Sequence, residues 1–109
     1  MSRSEPVVIG VAWYRPEQWG LLRSLAADAE KLEETYAEWL AIATKAVADM
    51  QSKGIAMRKV DVNVRELATW CQARGRPLNA GSRATFVSEK VELSAKRKQR
   101  RKLHHRRER

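Results

Sequence analysis

The chain has one cysteine, Cys71, and two histidines, His104 and His105, both close to its C-terminal end. A lone thiol makes no intrachain disulfide, which excludes a disulfide-stapled secreted module. A thiol nucleophile needs a base held beside it. With both imidazoles in the last residues, Cys71 reads instead as a core residue next to Trp70. Adjacent histidines on a helix point to different faces, and no cysteine or carboxylate cluster accompanies this pair, so no metal is expected. Gly10 stands alone rather than in a phosphate-cradling loop, and no other cofactor signature is present. The longest apolar run, Val7 to Tyr14, falls far short of the roughly 20 residues that span a bilayer. No small-residue cleavage pattern follows it, so the expectation is a soluble, cytoplasmic protein without a membrane partner.

The 109 residues suit one domain with about 5 to 10 kcal/mol of net stability. The formal net charge of +9 is not spread evenly. Residues 1 to 95 carry 13 Lys plus Arg against 12 Asp plus Glu, whereas residues 96 to 109 carry 9 against 1. The expected organisation is therefore a nearly neutral domain over 1–95 followed by a basic tail over 96–109, disordered or helical.

Periodicity organises the domain around one stretch. From Leu32 to Met50 the apolar residues Leu32, Tyr36, Trp39, Leu40, Ala43, Val47 and Met50 recur at steps of three and four, which predicts a helix against which the other elements pack. Met1 to Pro6 is a polar, loosely held lead-in. The β-rich run Val7 to Tyr14 predicts a strand covered on both faces. Pro16 and Glu17 open a short helix carrying Trp19, Leu22 and Leu25 inward. Whether the chain then bends near Asp28 is left open by Ala-Asp-Ala-Glu, which contains no breaker.

Lys53-Gly54 closes the main helix, and Ile55 to Val62 forms a second strand whose Arg58 and Lys59 discourage stray edge pairing. Asn63 and Glu66 start a third helix with Leu67, Trp70 and Cys71 inward. Asn79 caps a fourth, with Ala84, Val87 and Val91 as its apolar stripe. No glycine or proline follows Gly81, so this helix is free to continue into the tail. Trp13, Trp19, Trp39 and Trp70 all fall on predicted apolar faces and read as core. The order β-α-α-β-α-α defines an α/β or helix-dominated α+β fold with a two-stranded sheet per chain. Two strands are marginal alone, which points to edges meeting in a homodimer.

Four segments together resemble a family of small bacterial proteins of uncharacterised function. They are Ile9-Gly10-Val11-Ala12-Trp13-Tyr14, Thr35-Tyr36-Ala37-Glu38-Trp39-Leu40, Trp70-Cys71-Gln72-Ala73-Arg74-Gly75, and Asn79-Ala80 with Arg83 and Phe86. The resemblance spans about residues 7 to 92 and implies a compact bacterial domain; it implies no activity, ligand or catalytic residue, and it excludes the tail.

The tail carries the strongest functional signal. Lys96, Arg97, Lys98, Arg100, Arg101, Lys102, Arg106, Arg107 and Arg109 form a cluster that binds DNA or RNA phosphates by displacing counterions, without reading sequence. About six phosphate contacts give a log-log salt slope near −5. No aromatic residue accompanies them to stack on bases. A helix-turn-helix through Gly75-Arg76-Pro77 is disfavoured, since Arg83 is the one cation near the start of the fourth helix. Beyond the C-terminal ends of parallel strands, Tyr14, Arg15, Glu17, Asp61 and Asn63 form a candidate small-ligand site. Each also has a structural task as dipole partner, ion pair or cap. The leading expectation is a non-catalytic nucleic-acid-associating protein, with no catalytic residues. The alternative is a protein-interaction or homodimerisation module whose tail serves solubility.

Overall fold

The computed structural model describes the backbone of residues 8–107 and the side chains of residues 8–97. The polar lead-in Met1 to Pro6 lies outside the described residues, and the tail cations from Lys98 onward lie outside the described side chains. Two strands and four helices follow in the order β1 (Val8–Trp13), α1 (Trp19–Leu25), α2 (Tyr36–Ser52), β2 (Ala56–Asp61), α3 (Val64–Ala73) and α4 (Ala80–Arg107). The fold is helix-dominated around a small parallel sheet.

β1 and β2 pair from Val8 opposite Ala56 to Trp13 opposite Asp61, and the ladder is extended by the Val62 amide donating to the Trp13 carbonyl at 3.0 Å. A helix lies on each face. On one, α4 approaches so closely that a Cβ at Gly10 would stand 2.7 Å from Val91 Cγ2 and 2.8 Å from Val87 Cγ1. Glycine is needed there for space. On the other face, Trp39 of α2 packs edge-on against Trp13, with ring centroids 5.2 Å apart.

The helix ends obey local rules. Asn63 Oδ1 accepts the Glu66 amide at α3, and Asn79 Oδ1 accepts the Ser82 amide at α4, each satisfying a donor that the helix itself leaves free. Gly54, at φ +85°, leads out of α2 in the left-handed region that a side chain disfavours. Near Asp28 the chain does bend: a 3₁₀ turn over Ala29–Lys31 separates α1 from α2.

Several expectations need correction. The main helix begins at Tyr36 rather than Leu32, because Thr35 and Glu38 form a reciprocal capping box and Leu32 is extended. Nor is α2 the centre: Val47 is its one buried residue, and Ile42 is 57% exposed. The core instead lies where α1, α3 and α4 meet the strand ends, with Leu22, Leu67, Val64, Val62, Phe86 and Cys71 buried. A periodic stripe reports that one face is apolar, not how deeply it is covered. β1 is not enclosed at its start, where Val8 and Ile9 stay exposed, and Leu25, predicted inward, is exposed at the last turn of α1. Finally, Trp19 is buried, whereas Trp39 and Trp70 pack half-buried against the core and Trp13 is half-buried, and Ala84 faces outward while Phe86 fills the core.

Candidate nucleic-acid interface

The five residues predicted beyond the strand ends do not converge. Arg15 and Asp61 meet, Nη2 to Oδ2 at 2.9 Å and Nε to Oδ1 at 3.3 Å. Asn63 is committed to capping α3, and Glu17 is exposed in the 3₁₀ turn over Pro16–Gln18. Tyr14 turns inward, tilted against Trp19 and edge-on to Trp39. Burial pushes its phenol up to about 12, because the phenolate would lose water, a loss that the nearby Arg83 charge offsets only in part.

A cleft of about 320 Å³ opens at the free edge of β1, between Trp39 on one side and Arg83, Ala84 and Val87 on the other. Its one charged side chain is already spent. Arg83 grips Asp28 end-on, Nη1 to Oδ1 at 2.9 Å and Nη2 to Oδ2 at 3.0 Å. Asp28 also accepts the Ala80 amide at the start of α4. The Arg83 hydrogen bond is the main reason that the Asp28 carboxyl is held below its ordinary range. Thus the one cation near the start of the fourth helix, Arg83, is engaged by Asp28 within the protein, which weakens a helix-turn-helix reading further.

A second groove, of about 220 Å³, lies between β2 and the middle of α4. Arg58, Lys59 and Asp61 line it from the strand, and Lys90, Ser94 and Arg97 from the helix. Lys90 donates to Glu66 at 2.7 Å, and the Lys59 ammonium sits 4.3 Å from the Trp13 ring centroid. Arg58 donates to the Ser94 hydroxyl at 3.3 Å. Charges on a strand read as protection of an edge, which is why this cluster is invisible until α4 is laid across β2. Of the predicted tail residues with described side chains, Lys96 and Arg97 are both exposed, and Arg97 joins this groove.

Among the described residues no three His, Cys, Asp or Glu side chains gather as a metal site, and no helix is long and apolar enough to cross a membrane. Compared with protein-family models, curated proteins and solved structures, the chain matches none. A functional reading therefore rests on geometry and charge.

Proposed function

We propose that this is a non-catalytic, cytoplasmic protein that associates with nucleic acid by phosphate contacts from its basic C-terminal segment. The observation that carries this reading is the charge distribution: nine Lys and Arg among residues 96 to 109, against a body that is nearly neutral. Lys96, Arg97, Lys98, Arg100, Arg101, Lys102, Arg106 and Arg107 fall within α4, which also packs on the sheet, and Arg109 follows. Such a helix couples a polycation to a folded body, and its binding is electrostatic and indifferent to sequence.

Fluorescence anisotropy with short duplex DNA and RNA over a salt series tests it, using the full chain and a chain ending at Ala95. Circular dichroism establishes that the shortened chain keeps its fold. Salt-steep binding by the full chain, lost on shortening, is the expected result. Absence of binding by the full chain near physiological salt overturns the proposal.

A second reading is favoured by a specific observation. Val8 and Ile9, 41% and 42% exposed at the start of a strand whose outer edge has no described partner, and Ile42, 57% exposed on α2, are apolar surface suited to a second copy. A concentration-dependent mass in sedimentation equilibrium, unchanged by shortening to Ala95, would support homodimerisation.

A further inference from the structure

We infer that the groove between β2 and α4 is a seat for a backbone phosphate of the nucleic acid, an inference that rests on the reading above and gives the body a part in it. Of the four cationic residues that line the groove, Lys59 lays its ammonium on Trp13 on the α2 side of the sheet, which leaves three against one carboxylate, and that carboxylate, Asp61, is already held by Arg15 at 2.9 Å. Lys59 and Lys90 have partners elsewhere, in Trp13 and Glu66. Arg58 is different. It is half-buried, and among the described residues its guanidinium meets a neutral hydroxyl, Ser94, and no carboxylate.

A guanidinium has five donors in a planar fork, so one bond to Ser94 leaves most of them for an anion. Phosphate oxygens match that fork two at a time. The Ser94 hydroxyl, accepting from Arg58, keeps its own proton to donate to the same phosphate.

Placement on the helix supplies the rest. Lys90, Ser94 and Arg97 are separated by four and three residues, the spacing of one helix face, and Arg101 follows four residues later. In sequence the groove is thus the body end of a basic run that continues into the tail. Duplex DNA presents a charge about every 1.7 Å along its axis, a lattice that such a run can follow. An isolated acidic side chain on a protein gives no such continuity. A phosphate seated at Arg58 fixes where the body lies on the backbone, which the tail by itself does not.

The test uses the full chain in four forms: unaltered, Arg58→Gln, Arg58→Lys, and Arg100→Gln/Arg101→Gln/Lys102→Gln in the tail. Anisotropy of a labelled duplex DNA is followed over a KCl series, with poly-glutamate as a second ligand. Losing one phosphate contact makes the log-log slope shallower by about 0.9, or about an eightfold loss of affinity near about 0.1 M salt if the forms converge at about 1 M. Arg58→Gln is expected to show this loss with its thermal midpoint unchanged, and Arg58→Lys to restore most of the slope. An unchanged slope in Arg58→Gln overturns the groove and leaves the tail reading intact. Full binding by the tail variant, with loss only in Arg58→Gln, overturns the tail reading instead. Equal affinity for poly-glutamate, lost equally in Arg58→Gln, overturns the assignment to nucleic acid.

Discussion

Arg15 meets Asp61 at 2.9 Å with both side chains 62% exposed, and Arg83 meets Asp28 at the same 2.9 Å with side chains 13% and 12% exposed. Both pairs are two-pronged. Their surroundings decide what each is worth. In water the first gains little, because solvent screens the attraction and two long side chains must be held still. The second sits where the chain turns between α1 and α2 and pins that turn to the start of α4. There water is a poor competitor, and removing one partner strands a buried charge. Geometry alone, without burial, does not rank ion pairs.

The largest effect is expected from breaking the buried pair. Arg83→Ala leaves Asp28 beside the start of α4 with no cation, and should cost about 3 kcal/mol or more in a urea or thermal unfolding experiment. Asp28→Asn combined with Arg83→Gln removes both charges and should recover much of that loss, since no unpaired charge remains. A double variant as unstable as the single would show that the aspartate's hydrogen bonds, rather than charge pairing, hold the turn.

Burial predicts a second large effect, at high pH, in the neighbourhood of the same pair. Tyr14 has its phenol raised from 10.0 to about 12. A folded-state value above the unfolded one means that the contribution is complete below pH 10 and is lost as pH climbs from 10 through 12. At full ionisation this amounts to about 2 to 3 kcal/mol. Tyr14→Phe should flatten that alkaline limb in unfolding experiments. The acid limb runs the other way: Asp28 is depressed below 3.8, so its contribution is present above that value and is lost as pH falls further. Asp28→Asn should remove this share of the acid dependence, read from midpoints measured on either side of pH 4.

The contrast also explains what was legible. Arg15 and Asp61 could be placed together from sequence because each follows a strand, and parallel pairing brings strand ends side by side. Asn63 and Asn79 as caps, Gly54 at the end of α2 and Cys71 in the core are likewise local readings. The capping box at Thr35 and Glu38 carries an equally local signature, S/T-x-x-E, but it lies inside the apolar stripe that starts at Leu32, and periodicity alone does not mark it. Asp28 and Arg83 lie 55 positions apart, and nothing in the residues around either names the other. The same holds for Arg58 and Ser94, 36 positions apart. Such pairings arise only when α4 docks on the sheet, a step governed by the small volume at Gly10 and by Val87 and Val91. Of the candidate binding surface, the density of tail cations is plain in the sequence, whereas its anchorage on the body depends on that docking.

The smallest effect on stability is expected at the exposed pair. Arg15→Ala should lower stability by less than about 1 kcal/mol, because Asp61 is left in water rather than in protein. Asp61 also lines the basic groove, and in the unaltered chain Arg15 offsets its charge there. Freed of Arg15, Asp61 sets a bare carboxylate close to the place where a phosphate would sit. Arg15→Ala should therefore weaken duplex DNA binding more than it weakens folding, and Arg15→Ala/Asp61→Ala should restore binding without restoring stability. Parallel urea titrations and anisotropy measurements on the two variants separate the effects. If binding stays impaired in the double variant, Arg15 contacts the phosphate itself, and the strand-end residues belong to the interface rather than to its border.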